Sequence, residues 1–201
     1  MNHLVVMDTE LVFRGSGWGG GLWAEEVPVY PEVTGRALGW EGQLRLDPSG
    51  PFWGWAGLTL SRSLRIDGDG GVYPGDYDQP VALTLLGAWK GPRSWQASAR
   101  FRLTSGHPYT PQAGVYDPQS DLYLPWEGAV NSARFPWFHQ LDVRVEKTWH
   151  PRRADVGLYL DVYNAYWARN PIIATYSYDY SRLVTTLYIP LIPSMGLVVD
   201  F

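Results

Sequence analysis

The 201-residue sequence contains no cysteine, which removes disulfide frameworks, thiol catalysis and cysteine-based zinc sites together. Charge is scarce as well: Asp, Glu, Lys and Arg make up 18%, below the roughly 25% of soluble domains. The net charge is −4, the isoelectric point is about 5.5 and no Lys/Arg run occurs, so the electrostatic footprint of a nucleic-acid-binding protein is missing. No stretch approaches the roughly 18 uninterrupted apolar residues of a membrane-spanning helix. The apolar run Leu4 to Met7 ends at Asp8 without a basic flank or cleavage site, so no signal peptide is expected in these residues. His3, His107, His139 and His150 lack ligand spacing, and neither a metal site nor a cofactor is expected.

Aromatic residues, by contrast, are abundant. Trp 11, Tyr 13 and Phe 6 amount to 15% of the chain, more large amphipathic rings than packing a soluble core of this size requires. Gly 22 and Pro 16 together supply about a fifth of the residues, favouring many turns over long helices. The expectation is one all-β domain over residues 1–201.

Period two supports this. Leu38, Trp40, Gly42, Leu44 and Leu46 alternate with Gly39, Glu41, Gln43, Arg45 and Asp47, the pattern of a strand with two unlike faces. The same pattern marks Trp95 to Thr104, Gln140 to Glu146 and Asp155 to Val162. Weaker alternation marks Leu4 to Phe13, Phe52 to Arg65, Val81 to Lys90 and Met195 to Phe201, giving about eight strands.

Alternation alone fits a soluble sandwich or a membrane barrel. The connections favour the barrel. Short links at Asp47 to Pro51, Gly91 to Ser94 and His150 to Arg153 alternate with long ones at Arg14 to Arg36, Ile66 to Pro80, Ser105 to His139 and Trp167 to Ser194. Outer-membrane barrels have this asymmetry, with the short turns periplasmic. Phe52, Trp89, Trp95, Trp149 and Phe201 fall at the short-turn end, and Phe13, Trp40 and Tyr166 at the other, as two interfacial girdles require. Lys147 and Arg62, the charges on the apolar face, fall near opposite ends, where Lys147 can snorkel.

The terminal segment Met195-Gly196-Leu197-Val198-Val199-Asp200-Phe201 looks like the assembly signal of outer-membrane barrels, carried by Leu197, Val199 and Phe201. Together with Gly35 to Glu41, Gly54 to Ser63, Tyr77-Asp78-Gln79-Pro80, Arg134 to Lys147, Leu160 to Tyr166 and Pro190 to Leu197, it resembles the C-terminal barrel portion of TonB-dependent outer-membrane receptors. The resemblance implies an antiparallel transmembrane β-barrel, part of a larger barrel of about 22 strands. It also implies a place in the bacterial outer membrane and uptake of a scarce nutrient such as a metal chelate or carbohydrate, without enzymatic activity. The implied partners are outer-membrane lipid, lipopolysaccharide and the barrel assembly machinery. Neither a plug domain nor a TonB box is found in these residues, so the TonB system is a partner only if a plug is supplied elsewhere. A small self-contained barrel with a structural or adhesin role is the alternative.

Candidate site residues follow from parity. Glu41, Arg45, Arg100, Arg102, Asp142, Arg144 and Glu146, with Asp155 and Asp161, share the polar face and would line a lumen, as mutually neutralising charges, a solute path or a docking face for a plug. Tyr109, Tyr116, Tyr123, Trp126 and Trp137 stand in a long link, where they would stack on a surface ligand or on one another. Asp67, Asp69, Asp76 and Asp78 superficially resemble a calcium loop, but its glycine position is Val72, so an acidic hairpin tip is the simpler expectation. Ser16 and Ser105 lack the context of a catalytic nucleophile.

Overall fold

A computed structural model describes residues 4–9 (backbone only), 34–46, 50–187 and 190–201. The chain is all-β and antiparallel. In order it forms β1 (Leu4–Thr9), β2 (Thr34–Leu46), β3 (Phe52–Ile66), β4 (Val72–Pro74), β5 (Val81–Lys90), β6 (Trp95–Thr104), β7 (Pro108–Tyr109) and β8 (Gln112–Asp117). It continues through β9 (Leu122–Glu127), β10 (Ala133–Arg134), β11 (Phe138–Trp149), β12 (Asp155–Tyr163), β13 (Pro171–Tyr176), β14 (Leu183–Leu187) and β15 (Ile192–Asp200).

The main sheet runs β1-β2-β3-β5-β6-β11-β12-β15, each strand beside its predecessor in the meander, with β4 added against β3. Every expected strand is present; β5 and β6 match their expected bounds, whereas β2 begins at Thr34 rather than Leu38. No ladder joins β1 to β15 among the described residues, so the expected barrel is present as an open sheet. Phe13, Ser16, His3, the upper part of the first expected strand and the link from 14 to 33 lie outside the described residues.

Register holds the two faces apart across the sheet. Leu46, Gly54, Gly87, Ala99, Val143, Val162 and Pro193 are successive cross-strand partners on the apolar face. Arg45, Trp55, Leu86, Arg100 and Asp142 do the same on the other. A one-residue slip anywhere would exchange these faces, so alternation in the sequence specifies the pairing. The apolar face is uncovered: Leu44 is 65% exposed, Phe52 61%, Leu197 64% and Met195 78%. Ala168 and Pro108 are the aliphatic side chains buried among the described residues, and no aromatic one is.

Two of the charges on this face, Lys147 and Arg62, lie where their stems reach polar surroundings. Lys147 donates to the Arg93 carbonyl at the short turn and sits within 6 Å of the Trp95 and Trp149 ring centroids. Arg62 reaches Asp78 at 3.4 Å at the long-link end. Trp40 is level, through Leu60, with Val81 where β5 begins, so it too belongs to the long-link side.

The long links are not bare loops. Two of them carry ladders of their own, β7 with β10, β8 with β9, and β13 with β14, which sequence periodicity did not reveal.

Candidate functional site

Three groups of side chains carry the chemistry of the molecule, and the first lies on the polar face of β6, β11 and β12. Arg100 pairs with Asp142 at 2.7 Å through Nη2 and 3.1 Å through Nε, and Arg102 approaches the same carboxylate at 3.7 Å. One step along β11, Arg144 binds Glu146 at 2.8 Å and Asp161 at 2.9 Å and lies 4.0 Å over the Tyr159 ring. The cross-strand pairs Arg100 with Asp142 and Arg144 with Asp161 put opposite charges directly opposite each other. Gln140 donates to Asp142, and the Asn164 N–H donates to it at 3.1 Å. Asp142 is therefore surrounded by donors, while Arg102 Nε and Gln140 Oε1 are buried without a partner.

Of the expected lumen residues, Arg100, Arg102, Asp142, Arg144, Glu146 and Asp161 come together. Glu41 and Arg45 stand on β2, on the same face but four strand positions from β11 in the sheet order. Asp155 stands apart from them: its Oδ1 lies 2.8 Å from His150 Nδ1, within hydrogen-bond distance, beside the short turn. His150 Nε2 in turn meets Ser94 Oγ at 3.0 Å. This serine, histidine and carboxylate arrangement bridges the two short turns, yet the His150 and Asp155 side chains are 58% and 53% exposed.

A second group ties down the long links. Asp78 is 1% exposed and receives Arg134, Arg62 and the Ser63 N–H. Arg134 also donates to the Asp78 and Gly106 carbonyls, so one guanidinium joins the β4 link to the β6–β11 link. Asn131 Nδ2 bridges the same links, donating to the Pro74 carbonyl at 2.8 Å and to Asp76 at 2.7 Å. The acidic tip is otherwise self-satisfied, since Asp67 accepts from the N–H groups of Asp69 and Gly71. Asp76 and Asp78 are thus engaged by Asn131 and arginine, and no cluster able to hold a metal occurs among the described residues.

The third group is aromatic. Tyr116 and Tyr123 face each other across β8 and β9 with ring centroids 5.4 Å apart, and Tyr123 meets Tyr178 edge-on at 5.9 Å. Tyr176 and Tyr180 lie 5.8 Å apart. Between the two hairpins is a cavity of about 520 Å³ lined by Tyr123, Tyr176, Tyr178, Tyr180, Gln112 and Ser177. The hairpins approach closely: a Cβ on Gly114 would lie 2.2 Å from the Asp179 carbonyl oxygen. The Gln112 N–H donates to Tyr176 Oη at 2.8 Å across the same seam.

Of the aromatic residues expected in this link, Tyr123 lines the cavity and Tyr116 packs on it across the hairpin. Tyr109 packs on Phe135 at 4.7 Å instead. Trp126, 69% exposed, and Trp137, 48% exposed, do not line the cavity. The signal that was missed is the alternation Tyr176-Ser177-Tyr178-Asp179-Tyr180. Leu197, Val199 and Phe201 stand exposed at the β15 end, the first two on the sheet's apolar face.

The turn joining β13 to β14 is held by Asp179. Ser177 Oγ donates to it at 2.6 Å and the Ser181 N–H at 3.2 Å, and the Ser177 side chain in turn accepts from the Arg182 N–H at 3.0 Å. These donors, Ser177 first, pull the carboxyl from its ordinary 3.8 to about 2. A carboxyl depressed by folding stabilises the turn fully above its ordinary value and loses that contribution as pH falls through about 2. Accordingly, amide exchange at Ser181 stays constant from neutral pH to about 4, after correction for intrinsic exchange, and its protection declines below that. Protection that declines already between pH 7 and 5 would show that another group holds the turn.

Compared with known proteins, the chain matches no protein-family model, no curated protein and no solved structure.

Proposed function

We propose that this chain is a β-barrel portion of a TonB-dependent receptor in the bacterial outer membrane, acting in uptake of a scarce nutrient. One observation carries the reading: β2, β3, β5, β6, β11, β12 and β15, in register, bring most of their aliphatic side chains to one face, and among the described residues that face stays uncovered. A soluble protein rarely leaves more than a few hundred Å² of contiguous apolar surface open to water. Hydrocarbon is the solvent that stabilises such a face.

The vertical arrangement supports the same solvent. From Phe52 at the short turn to Arg62 at the long-link end, ten residues at about 3.3 Å and a tilt near 40° span roughly 25 Å, the height of an apolar band in outer-membrane barrels. Tryptophans flank the lower edge and charges appear beyond both edges. The ion-paired polar face then borders the lumen, and the long links with their own hairpins stand at the cell surface. Among the described residues the outer edges of β1 and β15 are unpaired, which supports membership in a larger barrel, because each open N–H or C=O in hydrocarbon costs several kcal/mol.

In this reading the polypeptide requires detergent for solubility, and the folded form migrates on gels differently before and after boiling. A β-rich monomer soluble in plain buffer would overturn the membrane assignment.

A further inference from the structure

We infer that the tyrosine-lined groove between the β8–β9 and β13–β14 hairpins is a binding subsite for a neutral oligosaccharide, an inference that rests on the receptor reading above. The groove has the size of a ligand site, about 520 Å³, within the 300–1,000 Å³ range of ligand pockets. Its lining combines four aromatic rings with an amide and hydroxyls, and it carries no charged side chain.

That lining selects a chemistry. The rings offer electron-rich faces, which attract the weakly positive C–H faces of a pyranose ring, and their hydroxyls stand at the periphery to bond its hydroxyl groups. Tyr176 Oη already accepts from the Gln112 N–H, so its own proton is left to donate to a ligand. The hydroxyls of Tyr123 and Tyr180 make no hydrogen bond among the described residues. Tyr178, 68% exposed, forms the outer lip, and Tyr176 and Tyr180 are half-buried at the base.

An anionic chelate is disfavoured by the same features. Desolvating an anion requires a cation or converging backbone donors, and the lining supplies no cation. Asp179 sits in the turn between the lining residues Tyr178 and Tyr180, held by Ser177 and Ser181, and would repel negative charge. A neutral ligand rich in hydroxyl groups meets no such penalty. The groove is also pre-formed: the close approach at Gly114 and the bond from Gln112 to Tyr176 fix the spacing of the hairpins before any ligand arrives.

The test uses the full 201-residue chain refolded in detergent micelles and a panel of linear neutral oligosaccharides of glucose, galactose, mannose and xylose, with a ferric tricatecholate as the anionic probe. Titration calorimetry is expected to give binding of at least one oligosaccharide and none of the ferric complex. Tyr178→Ala and Tyr180→Ala should each weaken that binding by about tenfold or more, while Trp126→Ala, outside the groove, leaves it unchanged. Heat-modifiable migration of each variant establishes that it folds. Binding of no oligosaccharide, binding insensitive to both tyrosine variants, or binding of the ferric complex in the groove would overturn the inference and leave the receptor reading standing. A chain that stays soluble and β-rich without detergent would instead remove the receptor reading, whichever ligand it takes.

Discussion

Arginine at Val143 destabilises the protein in phospholipid vesicles by about 2 to 4 kcal/mol, while arginine at Gln43 costs less than about 1 kcal/mol. Val143 stands near the middle of β11 on the apolar face, between Ala99 and Val162. On the membrane reading, a guanidinium there has hydrocarbon on every side and a long way to reach either interface. Gln43 is exposed on the opposite face, flanked along β2 by Glu41 and Arg45, so an added charge meets polar neighbours of both signs. Urea unfolding followed by circular dichroism gives both values. Equal losses at the two positions would mean that the faces have been assigned the wrong way round.

The second large effect is expected at Asp78. Its side chain is fully buried, and it is the common acceptor for Arg62, Arg134 and the Ser63 N–H. Removing the carboxylate in Asp78→Ala strands those donors, and stranding a buried ionic partner costs about 3 to 5 kcal/mol. The arginines are 51% and 29% exposed and recover some hydration, so the lower end, about 3 kcal/mol, is expected. The loss should be felt chiefly above the sheet. Limited proteolysis of intact vesicles should therefore cut within 67–80 and 105–137 much faster in the variant than in the parent. Asp78→Asn, which keeps an acceptor for Ser63, should fall between the two. Unchanged cleavage in Asp78→Ala would remove its role as the anchor of these links.

Where burial in one solvent or another governs a segment, the sequence was readable. β5 and β6 lie wholly within the apolar band, so every second residue is constrained and alternation gives both ends. β2 was read four residues short because Thr34 and Arg36 occupy the positions whose parity matches Leu38. Above the apolar band a strand continues by hydrogen bonding to β3 alone, and no face need be greasy. The small hairpins were invisible for a related reason. β9 and β13 contain Pro125 and Pro171, and β8 contains Gly114, residues that argue against strands when read locally. Each pairs locally, and the two hairpins are held against each other by contacts distant in sequence, Gln112 with Tyr176 and Gly114 with Asp179. The ion pairs of the polar face were legible as a set of residues, but their partners depended on register, which parity alone does not supply. Asp78 was visible only within Tyr77-Asp78-Gln79-Pro80 and the acidic hairpin tip; its buried role emerges once Arg134, 56 positions away, is brought beside it.

The nearest-neighbour order of the main sheet bears on how it is built. Each long strand is laid beside the one made just before it, so no strand must be threaded between two that are already in place. Loop closure sets the sequence of events. The link from β6 to β11 is roughly eight times longer than that from β5 to β6, three doublings, which adds about 1.8 kcal/mol of closure entropy. Hairpins joined by the tight turns, β2 with β3, β5 with β6 and β11 with β12, therefore form first, as prefabricated pairs. The wider links then bring finished pairs together edge to edge. The local hairpins inside those links shorten the effective span and lessen that cost. Each added pair covers one edge of the growing sheet and presents a new one, so widening the sheet never leaves more than its two outermost strands unpaired.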